Sequence, residues 1–474
     1  MSKLKLAALC LLVSGCIPTL VENPSRDVRK AVPNSFRTDG APADPAHSVA
    51  QKNWKAFFTS PELRELVELA LKNNQELNVR VQEMVIAQNE VSARRGEYLP
   101  RLGAGIGSGV EKVGGYTSQG VADAANGVPE HLGNFAFGLT ASWEIDVFGK
   151  LRNAANSAQA RYLASVEGRN FMVTQLVAEI ARSYYELIAL DNQLEVLERN
   201  IQIQADALEV VRIEKQAARV TELAVQRFEA EVLKNRSRLF DLRQERVQAE
   251  NRINFLVGRF PQPVARNAAE LQAPLPEVLH AGVPAELLEN RPDLRAAELE
   301  LQASKLDIDV ARAKFFPSFS VDARVGYQSF NVTHLVDTPL SIFYAIAGSV
   351  TAPLLNRAGI EADYRSANAR QLQAVFTYEK TLLQSVIDVA NQLVKFENLQ
   401  KTYDLQEQQV AVLGRSVEVS NTLFQSARAD YMEVLLTRRD SLDAQLELIE
   451  TRKRLLVSVV SLYEALGGGW RNDS

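Results

Sequence analysis

The chain has 474 residues, of which 46% are hydrophobic, so it is long enough for one large or several ordinary domains with a real core. Its formal net charge of −5 carries no basic excess, which argues against nucleic acid as the main partner. Both of its cysteines lie near the start, so we expect the mature protein to depend on packing and not on disulfide bonds.

The first residues have the features of a secretory signal peptide. Lys3 and Lys5 precede an apolar run that ends at Val13, and this run is shorter than the roughly 20 residues that a membrane span needs. Residues 13–16, Val-Ser-Gly-Cys, resemble a bacterial lipobox, so we expect residues 1–15 to be removed and Cys16 to carry the lipid. A plain signal peptide with an incidental Cys16 is the alternative. Residues 16–55 are predicted to form an extended, lipid-anchored arm.

The rest of the chain repeats one pattern, first in residues 56–258 and again in residues 286–474. Two residue pairs mark the copies, Pro100 with Pro317 at an offset of 217 and Gly258 with Gly467 at an offset of 209. Each copy reads helix, strand, loop, strand, long helix, turn, helix, and a Pro-rich linker at 259–285 joins them. The shorter second loop explains the change of offset, because a Gly-rich stretch at 114–133 has no equivalent there.

Four segments alternate apolar and polar residues with the period of two that is typical of strands, at about 100–113, 135–147, 317–330 and 340–354. Each is long enough for a tilted membrane strand of about 9–11 residues. A soluble sheet with one wet face gives the same pattern, and that alternative stays open at this point.

The number of strands sets a condition on any membrane barrel. Four strands cannot close one, and an open edge cannot lie in hydrocarbon. Two chains would give eight strands, a barrel that its own side chains fill, whereas three would give twelve around a water-lined bore. A conduit therefore predicts at least a trimer.

Long helices are predicted at about 150–257 and 357–466. Apolar residues recur there every seven positions, which is the pattern of a coiled coil: Val173, Ile180, Leu187, Leu194, Ile201 and Leu208 in the first copy, and Leu382, Val389, Phe396, Tyr403, Val410 and Val417 in the second. The helix from about Leu151 to Gln216 would be roughly 100 Å long at 1.5 Å per residue. An ordinary helical hairpin in a soluble protein is the alternative.

The sequence contains no recognisable catalytic chemistry. No histidine pair has metal-ligand spacing, and no Gly-rich loop has the Lys-Ser/Thr ending of a phosphate site. Asp307 and Asp309 lie two apart on a predicted helix, hence on different faces, and Glu144 and Asp146 are assigned to the polar face of a strand. We predict no catalytic residue, no metal site and no cofactor, so the chain is not expected to be an enzyme.

Several motifs occur in order within the duplicated frame. They are Trp-Glu-Ile-Asp-Val-Phe-Gly-Lys at 143–150, Arg-Pro-Asp-Leu-Arg-Ala-Ala-Glu at 291–298, Phe-Phe-Pro-Ser at 315–318, Asp-Tyr-Met-Glu-Val-Leu at 430–435 and Leu-Tyr-Glu-Ala-Leu-Gly-Gly-Gly-Trp at 462–470. By these motifs the chain resembles the outer-membrane efflux factors, the TolC-like channels, in their lipidated branch. The resemblance covers nearly the whole mature chain.

The resemblance implies a homotrimer in the outer membrane, lipid-anchored and extending into the periplasm. Its twelve-stranded β-barrel, four strands from each chain, would continue into a barrel of coiled-coil helices. A periplasmic membrane-fusion adaptor and an inner-membrane pump would be its partners, and drugs or other toxic small molecules would pass through it passively. An exit duct for type I protein secretion and a non-channel lipoprotein scaffold are the alternatives.

The resemblance also implies roles for the two turns between long helices. Adaptor contacts are expected at Arg219, Val220, Thr221, Arg428, Ala429 and Asp430, and gate residues at Phe424, Asp430 and Glu433. The family usually has glycine where Ala218 and Ala427 stand, so each turn must form here without an easy left-handed residue. It often has an aspartate where Leu436 stands, so a gate that depends on that carboxylate would be absent.

Overall fold

The structure, a computed structural model, describes residues 17–20, 24–36, 49–274, 281–426 and 428–471. The predicted signal peptide, Cys16 and Ala427 lie outside the described residues. The chain divides into two compact units. The sheet unit comprises Met1–Val28, Met84–Ala164 and Ala297–Tyr378, and the helical unit comprises Arg29–Glu83, Ser165–Ala296 and Glu379–Ser474.

The described residues are mostly helical, with one small sheet. Its helices are α1 (Trp54–Phe57), α2 (Pro61–Asn73), α3 (Gln75–Glu97), α4 (Ser118–Ala125), α5 (Lys150–Gln216), α6 (Glu222–Val257), α7 (Leu287–Asn290), α8 (Pro292–Ala313), α9 (Ala358–Gln425) and α10 (Tyr431–Ala465). Its strands are β1 (Arg101–Glu111), β2 (Leu132–Ile145), β3 (Ser318–Ser329) and β4 (Ile342–Thr351). Helices α5 and α6 form the first hairpin, and α9 and α10 form the second.

The four strands form one antiparallel sheet in the order β1-β2-β3-β4. Strand β2 begins earlier than predicted because Leu132 pairs with Glu111, and it ends at Ile145 because Asp146 turns away to the next helix. Strand β4 begins only at Ile342, since Ser341 closes a turn by donating its amide to the Asp337 carbonyl oxygen at 2.8 Å.

The Gly-rich stretch predicted as a plain loop contains helix α4, which is a correction to the sequence analysis. Thr117 caps this helix, because its Oγ1 accepts a hydrogen bond from the Gly120 amide at 3.0 Å. The capping residue and the alanines that follow favour a helix locally, and this outweighs the glycines on either side.

In the helical unit, most of the apolar residues of the first heptad series are buried, whereas Phe396, Tyr403, Val410 and Val417 of the second series are only partly buried. Ile180 and Leu187 are fully buried on α5, and Leu194 and Leu208 are also buried. Further along this hairpin, Leu197 packs with Leu442 and Leu446 of α10 in one cluster. Apolar burial of this kind, and not helix propensity, provides most of the stability of such helices.

The helix ends of the two copies are held by equivalent contacts within the helical unit. Asn74 donates from Nδ2 to the Leu256 carbonyl oxygen at 2.8 Å, and Arg291 donates from Nη1 to the Ala465 carbonyl oxygen at 3.0 Å. Each pair lies just before a left-handed glycine, Gly258 with φ 77° and Gly467 with φ 84°. A duplicated chain is expected to repeat its helix-end contacts in this way.

Candidate functional site: the sheet faces and the hairpin tips

One face of the sheet is apolar across all four strands. The register aligns Ile106 with Phe137, and Phe137 with Tyr327, so the apolar residues form continuous rows. In a single chain these side chains stay uncovered: Ile106 is 92% exposed and Tyr344 80% exposed. An exposed apolar face this continuous is the mark of an interaction surface, because soluble monomers rarely present one.

Aromatic side chains gather towards both ends of this face. At the end nearer the strand-connecting loops, Phe137 stacks on Tyr327 with ring centroids 5.3 Å apart. At the other end, Phe148 stacks on Phe316 at 4.7 Å, and Trp143 donates its indole N–H to the Tyr98 carbonyl oxygen at 3.1 Å. Two aromatic bands around an apolar belt are typical of strands that cross a bilayer.

The motif at 143–150 forms the corner between β2 and α5. Asp146 accepts hydrogen bonds from the amides of Leu151 and Arg152 at 3.1 and 2.9 Å, and so caps the first turn of the helix. Its side chain is only 2% exposed. The assignment of Asp146 to the polar face of the strand was therefore wrong, since it lies past the strand end. Glu144 does lie in β2, and it pairs with Lys150 across the corner.

A polar cavity of about 1140 Å³ lies in the sheet unit, beside the start of α5. Paired charges line it, such as Lys314 with Asp363 at 2.8 Å and Arg94 with Glu90 at 2.8 Å. Arg161 is half-buried, which by itself would lower its pKa, but its ion pairs with Asp307 and with Glu300 raise the pKa above its ordinary value. This lining suits water and polar solutes better than an apolar ligand.

The tip of the first hairpin is a tight turn that ends α5. Ala218 takes a left-handed conformation with φ 55°, and the Arg219 amide donates to the Glu214 carbonyl oxygen at 2.9 Å. Arg219 and Thr221 are exposed. Val220 is half-buried, since it packs against the buried cluster that includes Phe228. Of the three predicted contact residues, two are therefore free to meet a partner, and one helps to hold the turn.

The tip of the second hairpin repeats the same closing hydrogen bond. The Arg428 amide donates to the Leu423 carbonyl oxygen at 2.8 Å. Arg428 and Asp430 are exposed, and Ala429 is half-buried. Asp430 is the N-cap residue of α10, but its side chain makes no hydrogen bond to the helix, so its carboxylate does not cap it.

The predicted gate residues have different surroundings, although Glu433 is close to Asp430, to whose carbonyl oxygen its amide donates at 3.1 Å. Glu433 lies with Leu436 in an open groove of about 530 Å³ between α9 and α10, whereas the half-buried Phe424 is not among the residues that line it. The sequence analysis missed the apolar wall of this groove, which Val412, Val419 and Leu423 form. Val412 and Val419 are seven residues apart, so their heptad spacing is a signal that the sequence itself contains.

Two kinds of feature are absent from the residues that the structure describes. No described helix combines the length and apolar character that crossing a membrane requires. Within the same residues, no three histidine, cysteine, aspartate or glutamate side chains are grouped so that they would hold a metal ion.

Several known proteins are similar to this chain over most of its length. The family described as "Outer membrane efflux protein" matches residues 66–259 and 283–468. The chain is 29% identical to the pyoverdine export outer membrane protein OpmQ of Pseudomonas aeruginosa, over all of this chain and 98% of that protein. It is 28% identical to the cation efflux system protein CusC of Escherichia coli, over 99% of this chain and all of that one.

A solved structure agrees with these relatives. The open state of the MtrE outer membrane channel of Neisseria gonorrhoeae superposes with a TM-score of 0.84 at 26% identity, covering 97% of this chain and 99% of that one. The match extends over the sheet and the helices alike, so the whole fold is shared and not one part of it.

Proposed function

The chain belongs to the outer membrane efflux protein family, and we propose that three copies of it form one conduit through which small toxic molecules leave the cell. It is an outer-membrane channel component of an efflux system, in common with its relatives. Family members are channels and not enzymes. The relatives are named for pyoverdine and for cations. For this chain we propose drugs or other toxic small molecules as the cargo.

The proposal of a trimer rests on the two open edges of the sheet. Strand β1 and strand β4 each have only one neighbour, so both edges of the sheet are open. An apolar face suits hydrocarbon. An open edge there leaves backbone N–H and C=O groups without hydrogen-bond partners, which costs on the order of several kcal/mol per group. Joining β4 of one copy to β1 of the next removes every edge. Twelve strands then leave room for water inside.

Exposed apolar stripes on the helices support the same assembly. On α6, Leu233 is 58% exposed and Phe240 66% exposed, and on α9 Leu405 is 67% exposed. These residues continue at heptad spacing, with Val247 on α6 and with Val412 and Val419 on α9. Stripes of this kind are the seams of coiled coils whose partner is missing. We assign them to contacts between neighbouring copies.

The hairpin tips are proposed as the docking and gating end. Exposed Arg219, Thr221, Arg428 and Asp430 would meet a periplasmic adaptor that is joined to an inner-membrane pump, with Val220 and Ala429 shaping the turns. Glu433 in the groove, with Asp430 and Phe424 near it in the sequence, would form the gate. Cys16 is proposed to carry the outer-membrane lipid anchor, as the name of one relative, the probable outer membrane lipoprotein SilC, suggests for that protein.

One experiment tests this function. Cells that lack the gene should accumulate dyes and antibiotics, and the intact gene should reverse this. A copy with Arg219→Glu and Arg428→Glu should reach the outer membrane but fail to restore efflux, whereas a copy with Arg80→Glu, an exposed residue on α3, should restore it. Unchanged accumulation with a protein toxin trapped inside the cell would favour protein secretion instead.

A further inference from the structure

The second face of the sheet carries mostly small and polar side chains. Rows of small residues cross it from strand to strand, and one of these rows contains Gly105, Gly138 and Gly326 and ends at Phe343 of β4. A Cβ at Gly138 would lie 2.4 Å from the Val325 carbonyl oxygen, and a Cβ at Gly326 would lie 2.2 Å from that of Phe137. These two positions therefore exclude any side chain, so this row is bare backbone on β2 and β3 and carries one large side chain, Phe343, on β4.

Strand β3 contributes two charged residues to this wall, Arg324 and Asp322, while Arg101 and Glu111 of β1 and Glu144 of β2 lie elsewhere on the same face. Arg324 has Thr140 and Ala345 as its cross-strand partners, and Asp322 has Ser142 and Ala347. Both charged side chains are exposed, and no ion pair joins either of them to another described residue. They lie two residues apart along the strand, about 7 Å.

The two rows differ in net charge. The row of Asp322 begins at Arg101 on β1, because Arg101 pairs with Ser142 and Ser142 with Asp322. One positive and one negative charge per chain therefore offset each other there. The row of Arg324 contains Gly103, Thr140 and Ala345, so its single positive charge has no counterpart.

We propose that Arg324 and Asp322, repeated in each copy, form two charged rings in the bore and set its discrimination between anions and cations, with the Arg324 ring favouring anions. This rests on the proposed function, since it requires the apolar face towards lipid and the small-residue face towards water. Low-dielectric walls focus the field of such a ring into the bore. The effect reaches across a wide bore only at low salt, because the Debye length is about 30 Å at 0.01 M but about 3 Å at 1 M.

The test is ion selectivity of the purified full-length protein in a planar lipid bilayer under a KCl gradient at low salt. With Arg324→Gln, we expect the chloride-to-potassium permeability ratio to fall by about twofold or more, as field focusing changes local ion concentrations by at least that much. With Asp322→Asn, the ratio should rise. Arg324→Lys keeps the charge and should match the parent. All differences should shrink at 1 M salt.

The outcomes separate the inference from the function on which it rests. Conducting Arg324→Gln and Asp322→Asn channels with the reversal potential of the parent would overturn the inference and leave the conduit intact. A loss of selectivity in Arg324→Lys as large as in Arg324→Gln would also overturn it, because shape and not charge would then be responsible. A parent protein that carries no current and forms no oligomer in detergent would contradict the conduit itself. Heat-stable assembly of each variant in detergent shows that it is folded.

Discussion

Ala218 is the residue at which this chain departs most clearly from an easy turn. Its φ of 55° is a conformation that costs an alanine about 1–2 kcal/mol and a glycine almost nothing. The turn still closes, because the Arg219 amide bonds to Glu214 and Val220 packs on the apolar cluster below it. The tip is thus held by packing at the cost of local strain.

Replacing Ala218 with glycine should relieve this strain. We expect Ala218→Gly to stabilise the tip by about 1 kcal/mol, so the amide of Arg219 should exchange with deuterium several-fold more slowly. Ala217→Gly is the matched control, because Ala217 has no left-handed conformation to relieve. It should leave exchange unchanged or make it faster. Equal or faster exchange in Ala218→Gly would show that the turn is not strained.

Gly467 has the opposite requirement, because nothing larger fits. A Cβ there would lie 2.5 Å from the Asn290 carbonyl oxygen, and the φ of 84° is left-handed. Gly467→Ala should therefore destabilise the protein by about 2 kcal/mol or more. This would be measured as a lower thermal midpoint by circular dichroism. Gly414→Ala, where a Cβ meets nothing within 4 Å inside α9, should instead raise the midpoint slightly.

Glu270 gives stability a dependence on pH. It accepts a hydrogen bond from the buried hydroxyl of Tyr184 at 3.0 Å, and burial, with Glu62 close by, raises the pKa of Glu270 above 4.5. The folded state therefore holds a proton that the unfolded state releases, and stability is lost as the pH rises through the raised pKa. At pH values below 4.5 the group is protonated in both states and contributes no such loss.

The Glu270→Gln variant isolates this contribution, since glutamine can still accept the hydrogen bond from Tyr184. Thermal midpoints of parent and variant should be close in acid and should diverge above the raised pKa, with the variant more stable. Parallel pH curves for the two proteins would contradict the predicted sign.

The residues that the sequence identified correctly are those whose neighbours are close along the chain or repeat with a regular period. Asp146 was misplaced because alternation continues one residue past the strand, while hydrogen bonds to Leu151 and Arg152 withdraw it into a cap. Sequence spacing also could not show that Val220 is held and Arg219 is free. That difference depends on Phe228, which returns to the turn from α6.

At the scale of elements, the seam between helices carries the stability of the helical unit. Leu197 is fully buried with Leu442 and Leu446, so Leu197→Ala should destabilise the chain by about 2–5 kcal/mol, as cavities in cores do. Leu233→Ala is the matched control, because that side chain is 58% exposed in one chain. It should leave the secondary structure intact while weakening the association of copies, measured as loss of the heat-resistant oligomer. The reverse ranking would contradict both assignments.

Element prediction worked where one period persists over many residues. The heptad repeats gave the long helices, and the alternation gave all four strands to within a few residues. It failed at α4, where a capping threonine and the alanines that follow favour a short helix within a Gly-rich stretch. It also missed the second apolar stripe on α9, because the residues of that stripe lie two positions away from the predicted seam and therefore on another face of the helix. The predicted domain boundaries stay predictions. The roles of the hairpin tips also stay predictions, since they depend on partners outside one chain.

At the scale of the whole molecule, the account depends on the joining of copies. One chain has an apolar face with two open edges, exposed helical stripes, and a polar face on which Arg324 and Asp322 are exposed. Each of these features is costly or without purpose alone. All three are accounted for when β4 of one copy pairs with β1 of the next.

Disulfide crosslinking between β1 and β4 tests this claim most directly. Gly103, Gly105 or Gly107 is changed to cysteine together with Ala345→Cys, in a chain whose natural cysteines are only Cys10 and Cys16. Within one chain β1 and β4 are three strand spacings apart, about 14 Å, whereas a disulfide needs Cα atoms closer than about 7 Å. Mild oxidation in membranes should therefore give covalent dimers and trimers with at least one of the three pairs. Monomers alone with every pair, or a single chain that is soluble without detergent, would contradict the account.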